Sequence, residues 1–500
     1  MTKKILSILI ILCTFHSIMA QNIKRPNIIL FLIDDMGWMD SSVPFGDSAG
    51  LLNKQFKTPN LTLLANQGVK FTNAYAQPVC TPTRTSILTG MNVTRHGVTN
   101  WTSPLKNNST DAKDDQFYPA PWKINGVDKD SITTYPELLK QAGYYTIHVG
   151  KAHWGPAGTP MSNPLNVGFM VNVAGHAAGH PQSYYGKDNY GNIQGKSTYQ
   201  SVPDLMNYHG TDTNLTEALT KEAIQRLEEP IRLKMPFYLN MAHYAVHVPI
   251  QPDIRFYQSY LDEGLDTANA KYASMVASMD KSLGDLMKFL TEKNITNNTI
   301  IIFMSDNGGL SLTGARGNIA HIQNLPLRAG KGSMYEGGIR VPMIVKWPGT
   351  VKSNSFNNQY IIAEDFFPSI LEMANITHYK TVQKVDGKSF VPFLKNYKIM
   401  DTNRILIWHY PNKWIDIDGP AINYKSAIRQ GNWKLIYDLR NGKKELYNLK
   451  DDIGEYNNLI VKYPFKARQL SIILKDVLEK NNAPMPIFKM NSKKVEINID

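Results

Sequence analysis

Continuous apolar runs recur along the chain, and helical patterns separate them. Asn27–Ile33 and 299–304 are apolar at nearly every position, as are 143–149 and 236–241. Such runs are typical of strands buried on both faces of a sheet. The helical pattern 135–142 ends before Gly143, a natural C-terminal stop. Strands that alternate with helices predict a large, mostly parallel sheet sandwiched by helices.

Polar residues follow each of these runs. They are Asp34 and Asp35 after the first run, Lys151 and His153 after 143–149, His243 and His247 after 236–241, and Asp306 and Asn307 after 299–304. Open parallel sheets place their binding sites at the carboxyl ends of the strands. We therefore expect these side chains to meet at one edge of the sheet.

The carboxylates and the amide indicate a metal site. Asp34, Asp35, Asp306 and Asn307 offer oxygen ligands only, which hard cations such as Ca²⁺ or Mg²⁺ prefer. Adjacent aspartates repel one another unless a cation or a proton relieves them. Taken alone, either motif is more often a turn or a helix cap, so the prediction depends on the matching strands and on Cys80.

The N-terminus indicates export. Lys3 and Lys4 precede a short apolar run, and Ala20 offers a cleavage point, so residues 1–20 are predicted to be a signal peptide of a periplasmic or secreted protein. The run is short for a bilayer span, and no later stretch approaches a transmembrane helix, so no stable membrane insertion is expected. Cleavage would remove Cys13 and leave Cys80 as the one cysteine.

Cys80 opens the pentad Cys80-Thr81-Pro82-Thr83-Arg84. Pro82 suits the first turn of a helix that Gly90 would end. Cys80 would lie at the positive end of this helix, where anions bind and a thiol is expected to be acidified. Arg84 lies one turn away and could neutralise an oxyanion. The alternative, a buried structural cysteine, does not account for the proline and the arginine at these offsets.

The formal net charge is +12, which favours anionic partners. The positive residues are scattered, and there is no Lys/Arg run with interleaved aromatic residues, so a nucleic-acid partner is not expected. A basic surface that serves only solubility explains the charge equally well.

The pentad and the residues up to Gly90 resemble the motif of formylglycine-dependent (type I) sulfatases of the alkaline-phosphatase superfamily, Cys-x-Pro/Ala-x-Arg. The resemblance extends from about residue 25 to about residue 460. Within the family, the chain resembles the bacterial polysaccharide sulfatases. Its supporting motifs are 27–37, 150–155, 244–249, 305–308 and 330–342, followed by 429–435 and 445–449.

The resemblance implies a site. Cys80 would be oxidised to formylglycine (3-oxoalanine) by a separate maturase, and Ca²⁺ would bind Asp34, Asp35, Asp306, Asn307 and the modified Cys80. The implied sulfate contacts and catalytic residues are Arg84, Lys151, His153, His247 and Lys331, of which His247 and Lys331 would protonate the leaving alcohol. His243 and Arg328 are candidate substrate-binding residues, and His243 is also an alternative acid.

The implied architecture is an alkaline-phosphatase-like α/β catalytic domain at 21–395. A smaller C-terminal α+β domain at 396–500 would be built on an antiparallel sheet, with strand candidates at 404–409 and 434–438 and a closing helix at 464–480. Two long irregular stretches, 101–130 and 174–208, are predicted to be pocket walls.

The implied function is that of a sulfuric ester hydrolase acting on a sulfated glycan, such as an ulvan or galactan oligosaccharide of marine algae. Two alternatives stay open. One is a phosphonate or phosphodiester hydrolase with the same formylglycine. The other is a non-catalytic relic that binds sulfated glycans.

Overall fold

An eight-stranded sheet lies at the centre of the larger part of the molecule. The computed structural model describes residues 25–46, 49–310, 324–396, 398–416 and 419–499, so the predicted signal peptide lies outside the described residues. The strands are β1 Asn27–Ile33, β2 Val69–Phe71, β3 Ala74–Tyr75, β4 Phe117–Tyr118, β5 Tyr145–Gly150, β6 Val171–Val173, β7 Phe237–Ala242, β8 Thr299–Ser305, β9 Met343–Lys346, β10 Ser355–Asn357, β11 Ile361–Ile362, β12 Ile405–Tyr410, β13 Lys425–Gln430, β14 Trp433–Asp438, β15 Lys444–Asn448 and β16 Ile487–Phe488.

Helices pack on both faces of this sheet, whereas the last helix of the chain packs in the core of the C-terminal sheet. They are α1 Leu51–Gln55, α2 Pro59–Gln67, α3 Cys80–Thr89, α4 Val93–His96, α5 Tyr135–Gln141, α6 Leu215–Arg232, α7 Ile254–Asp262, α8 Thr267–Glu292, α9 Glu336–Ile339, α10 Phe366–Met373, α11 Val391–Lys395 and α12 Pro464–Lys480. None of the helices in the described ranges is long and apolar enough to cross a bilayer.

The sheet has the strand order β10-β2-β9-β8-β1-β7-β5-β6. Its central strands β8, β1, β7 and β5 are parallel, whereas β9 runs antiparallel to both of its neighbours. The register pairs Ile33 with Ser305 and Gly150 with Ala242. The carboxyl ends of the central strands are therefore level, and the segments that follow them meet at one edge.

Strand β1 is buried along its whole length because side chains from alternate positions pack into two separate cores. Phe31 packs in the core that contains residues of α6 and α8, and Leu30 packs in the core that contains residues of α3, α5 and α10. Each such buried side chain contributes about 1.5–3 kcal/mol of transfer free energy. A strand with two apolar faces therefore has its stable position at the middle of the sheet.

The smaller C-terminal sheet is antiparallel, with the order β12-β13-β14-β15. Leu470 and Leu474 of α12 pack with Ile428 and Leu435 in its core. The indole of Trp408 on β12 donates to Ala76 O at 2.8 Å, which joins this sheet to the segment between β3 and α3. The predicted fold class is confirmed, with β9 as the antiparallel exception in the large sheet. The domain boundary at 395/396 stays a prediction.

Candidate active site

Asp34 and Asp306 are held beside each other by the backbone that follows β1 and β8. The Asp34 N–H donates to Ala245 O at 2.9 Å, and the Asp306 N–H donates to Ile33 O at 3.0 Å. Asp35 adopts a left-handed backbone with φ 61°, which aspartate tolerates better than most residues. Its N–H lies 3.3 Å from Oδ1 of Asp306. The predicted meeting of these two strand ends is therefore confirmed.

Each of the three aspartates pairs with a buried cation. Lys151 Nζ lies 2.5 Å from Asp34 Oδ2, and Lys331 Nζ lies 2.6 Å from Asp35 Oδ1. Arg84 donates through Nε to Asp306 Oδ2 at 2.8 Å and through Nη1 to Lys151 O at 2.9 Å. These ion pairs bring together residues far apart in the sequence. Because an isolated buried charge is strongly unfavourable, each side chain in these pairs needs its partner to remain charged in the interior.

The surroundings of Asp34 and Asp35 shift the pKa values of these two residues in opposite directions. Burial, reinforced by the negative charge of Asp306, raises the pKa of Asp34 well above its usual value despite the nearby Lys151. Burial would also raise the pKa of Asp35, but His247 and Lys331 outweigh it and lower that pKa. The basic side chains around Asp34 therefore do not fully offset its burial and the charge of Asp306, and a further cation would favour the ionised form of its carboxyl group.

The unused oxygen atoms at this edge fit such a cation. Within the described ranges, Asp34 Oδ1, Asp35 Oδ2 and Asn307 Oδ1 are buried and accept no hydrogen bond. Asp34, Asp35 and His247 also offer ligand atoms within 4.8 Å of one another. Carboxylate and amide oxygens are the donors that Ca²⁺ and Mg²⁺ prefer. The site can therefore hold a metal ion, and His247 is a nearby ligand candidate that the sequence did not indicate.

Cys80 is the first residue of α3, and Gly90 ends this helix with φ 69°. Its Sγ lies 3.4 Å from Nδ1 of His153, while Nε2 of that ring lies 2.9 Å from the carbonyl oxygen of Thr102. Nε2–H therefore donates to Thr102, and Nδ1 faces the thiol as an acceptor. Burial, followed by the charge of Lys151, keeps the pKa of His153 well below its usual value, so the ring is neutral.

The expectation of an acidified thiol is wrong. Burial raises the pKa of Cys80, and the opposing charges of Lys151 and Lys331 do not reverse this effect. The side chain is 3% exposed, so water contributes little to the solvation of a thiolate. An unmodified Cys80 is consequently a protonated and weak nucleophile at neutral pH.

His247 and Lys331 form the other side of the site. Lys331 Nζ lies 3.0 Å from His247 Nε2, and Nδ1 of that ring lies 3.2 Å from Val248 O. Nδ1–H therefore donates to the carbonyl, and Nε2 accepts from the ammonium. Burial keeps the pKa of His247 well below its usual value. The pKa of Lys331 is raised because the negative charge of Asp35 outweighs burial. The lysine is thus the proton carrier of this pair.

A cavity of about 490 Å³ opens beside these groups. Its lining residues are Asp35, Cys80, Trp101, Thr102, Pro104, His153, Gly179, His180, Gln200, His247, Val248, Leu310, Lys331 and Trp414. The stretches 101–130 and 174–208, which were predicted to be pocket walls, both contribute to this lining. Trp414, which follows β12, was not predicted, because nothing in its local sequence indicates a site.

The structure does not bring His243 or Arg328 to this cavity. His243 is fully buried, and its Nε2 lies 2.8 Å from Ser282 Oγ on α8. Burial lowers its pKa to about 3. Arg328 lies over the ring of Tyr335 at 4.1 Å and donates to Glu455 O at 2.8 Å. Both residues have partners in the packed protein, which explains their positions without a substrate.

Most of the chain is similar in sequence to proteins of one family. Residues 26–376 match the family model Sulfatase, and residues 329–483 match the model N-sulphoglucosamine sulphohydrolase, C-terminal. A sulfatase of Formosa agariphila is 31% identical over 94% of this chain and 92% of its own length. Human N-acetylgalactosamine-6-sulfatase is 31% identical over 76% of this chain and 67% of its own length.

Structural comparison agrees. The crystal structure of Ps i-CgsB in complex with k-i-k-neocarrahexaose has a TM-score of 0.73 and 26% sequence identity to this chain. The match covers 91% of this chain and 93% of that one.

Proposed function

Because this chain belongs to the sulfatase family, we propose that it removes sulfate from a sulfated glycan through a formylglycine made from Cys80. The protein is a sulfatase. One observation carries the finer proposal. Cys80 lies at the N-terminus of α3 and lines the same cavity as Asp35 and Lys331, which belong to the cluster of buried carboxylates and cations.

The environment of Cys80 supports a modified nucleophile. A protonated thiol attacks poorly, whereas the hydrated aldehyde of formylglycine supplies a hydroxyl group. One hydroxyl would attack the sulfur of the ester and displace the alcohol. The second hydroxyl would then lose its proton, and the C–O bond to sulfate would break as the aldehyde re-forms. Water would hydrate the aldehyde for the next cycle. A serine at this position has no second hydroxyl and could not release sulfate by this route.

The buried cations would hold the sulfate and the charge that develops on it. Arg84, Lys151 and Lys331 are all less than 10% exposed and are fixed by the ion pairs described above. Donors that are already oriented in a site with little water stabilise a transition state without reorganisation. The N-terminus of α3 adds backbone N–H groups at the same place. His153, which contacts Cys80, would orient the hydrated aldehyde.

Lys331 would protonate the leaving alcohol, with His247 as its hydrogen-bond partner. A sugar alkoxide is a poor leaving group, so the departing oxygen needs a proton as the S–O bond breaks. The Lys331 ammonium carries that proton in the resting site, and His247 accepts a hydrogen bond from it. The pair lines the cavity in which the alcohol would lie.

Asp34, Asp35, Asp306 and Asn307, with the modified Cys80, would hold Ca²⁺. The ion would offset the negative charge of the sulfate when bound. The three unused oxygens of Asp34, Asp35 and Asn307 support this ligand set. Asp306 accepts from Arg84 and lies at hydrogen-bond distance from the Asp35 N–H, so it would connect the ion to the sulfate contacts.

The names of related proteins support a carbohydrate substrate. One relative is an N-acetylgalactosamine-6-sulfatase, and one structural neighbour was solved with k-i-k-neocarrahexaose. We therefore favour a sulfated glycan, with algal ulvan or galactan oligosaccharides as the first compounds to test. Export to the periplasm or the medium, removal of residues 1–20 and a separate maturase belong to the same proposal. So does the division into a catalytic domain at 21–395 and a C-terminal domain at 396–500.

The test begins with the mature protein made together with a formylglycine-generating enzyme. Mass spectrometry of the peptide that contains Cys80 should show the thiol replaced by an aldehyde. The converted protein should release sulfate from at least one sulfated oligosaccharide, and Cys80→Ala should not. Higher kcat/KM on matched phosphate or phosphonate esters would favour the alternative hydrolase. Glycan binding without turnover by the converted protein would favour the binding relic.

A further inference from the structure

Trp101 and Trp414 are half-buried tryptophans that line the active-site cavity with Cys80. They come from distant parts of the chain, one after α4 and the other after β12. Within the described ranges, no hydrogen bond engages either indole N–H. A tryptophan with a large apolar ring and a free donor in a concave site is suited to a ligand that has both an apolar face and hydroxyl groups.

The position of Trp414 is fixed from two sides. The backbone N–H of Trp414 donates to Oδ1 of Asn423 at 2.7 Å, and Nδ2 of that amide donates to Ile415 O at 2.8 Å. Its ring packs on Gly332, where a Cβ atom would lie 2.1 Å from Trp414 Cε3. Gly332 has φ 85°, a left-handed backbone that also favours glycine. A residue of the C-terminal segment is thus held rigidly beside Lys331.

Trp101 is joined through Thr102 to the residues around Cys80. The Thr102 N–H donates to Thr81 Oγ1 at 3.2 Å, and Thr102 O accepts from His153 Nε2 at 2.9 Å. Thr110 Oγ1 donates to Trp101 O at 2.8 Å. The residue before Thr102 is therefore anchored to the start of α3 and to the histidine that contacts Cys80. The backbone of each tryptophan is thus fixed before any substrate arrives, which lowers the entropy cost of binding.

The remainder of the lining is mostly apolar or neutral. Pro104, Val248 and Leu310 lie there with the neutral amide of Gln200. Among the described lining residues, Asp35 and Lys331 are the charged ones, and they pair with each other. The described part of the cavity wall is thus mostly uncharged. Its chemistry matches the C–H face and the hydroxyl groups of a pyranose ring.

We infer that Trp101 and Trp414 form a stacking subsite for the pyranose ring that carries the reacting sulfate. This inference rests on the proposed function. It makes the two tryptophans specificity-determining residues that act on sugar binding, while the cations and Cys80 act on the sulfate.

The experiment uses the matured full chain with Trp101→Ala, Trp101→Phe, Trp414→Ala and Trp414→Phe. Trp433→Ala is the matched control, because Trp433 is half-buried on β14 and packs with Tyr463 at 4.9 Å, outside the lining of the cavity. KM and kcat are measured on a singly sulfated oligosaccharide that the wild type hydrolyses. The inhibition constant of inorganic sulfate reports on the sulfate site without a sugar ring.

Each alanine variant should raise KM about three- to tenfold, in line with the loss of an aromatic contact. Both phenylalanine variants should restore most of the affinity, and the inhibition constant of sulfate should not change. An unchanged KM in both alanine variants would overturn the subsite. So would a rise in the inhibition constant that matches the rise in KM, because the tryptophans would then only support the sulfate site. A wild type that hydrolyses 4-nitrophenyl sulfate but no sulfated glycan would overturn the proposed function together with the subsite.

Discussion

The ammonium of Lys331 lies 3.0 Å from Nε2 of His247 and 2.6 Å from Oδ1 of Asp35. The His247 ring donates through Nδ1 to its neighbouring carbonyl, so Nε2 can only accept in this arrangement. The stored proton is therefore on the lysine. Lys331 is therefore the proton donor and His247 its hydrogen-bond acceptor, although the sequence motifs suggested the same role for both.

Lys331→Met should lower kcat by about 10²- to 10⁴-fold on a sugar sulfate, the usual contribution of a general acid. The loss on 4-nitrophenyl sulfate should be much smaller, since nitrophenolate leaves without a proton. Steady-state kinetics on both substrates measure the difference. Equal losses on the two substrates would mean that Lys331 holds the sulfate rather than protonating the leaving group.

Arg84→Met should lower the free energy of unfolding by about 3–5 kcal/mol, because it leaves the buried Asp306 without its partner. Lys281→Met is the control, since it removes an exposed pair with Asp285 on α8 that is worth roughly 0–1 kcal/mol. Urea denaturation of both variants at one pH and one calcium concentration gives the comparison. Similar small effects would show that the site relaxes around Asp306.

Stability should fall between about pH 4.5 and pH 8 because of Glu364. Burial, with the nearby Asp365, raises the pKa of Glu364 from 4.5 to about 8. In that window the unfolded chain has lost the proton and the folded chain retains it, so each pH unit costs about 1.4 kcal/mol at most. Above the folded pKa the cost is complete, and below the unfolded pKa it is absent.

Glu364→Gln should remove this part of the pH dependence. The amide keeps an acceptor for Asn92, whose Nδ2 donates to Glu364 Oε1 at 2.7 Å. Unfolding midpoints in urea, measured at pH 5 and pH 8, should differ less in the variant than in the wild type. An unchanged difference would show that other groups cause the slope.

Ca²⁺ should stabilise the folded protein, and Asp34→Asn should abolish most of that effect. At a concentration 100 times the dissociation constant, a ligand adds about 2.7 kcal/mol to the free energy of unfolding. Thermal denaturation after treatment with a chelator, with and without added Ca²⁺, measures the increment. Asp285→Asn on the exposed face of α8 should keep the full increment. Equal increments in the two variants would place the calcium site elsewhere.

The sequence was sufficient to predict elements that depend on local backbone preferences, and elements whose hydrophobic pattern is compatible with only one position in the fold. The apolar run of β1 can be stable only between two cores, and its predicted range matches the structure. Pro82 and Gly90 mark the ends of α3 through backbone preferences that need no tertiary contact. The strand-end positions of Asp34 and Asp306 followed from the same patterns.

Only the tertiary structure decided which of these polar residues share a cavity and how they titrate. His243 and His247 are four residues apart, but the backbone after β7 turns at Tyr244, whose carbonyl accepts from the His247 N–H at 3.0 Å. One ring therefore enters the core beside α8, and the other reaches Lys331. The pKa of Cys80 rises because the whole fold removes water from it, and Trp414 reaches the site because the C-terminal sheet docks there. Solvation and long-range packing depend on residues hundreds of positions away, so no local pattern can encode them.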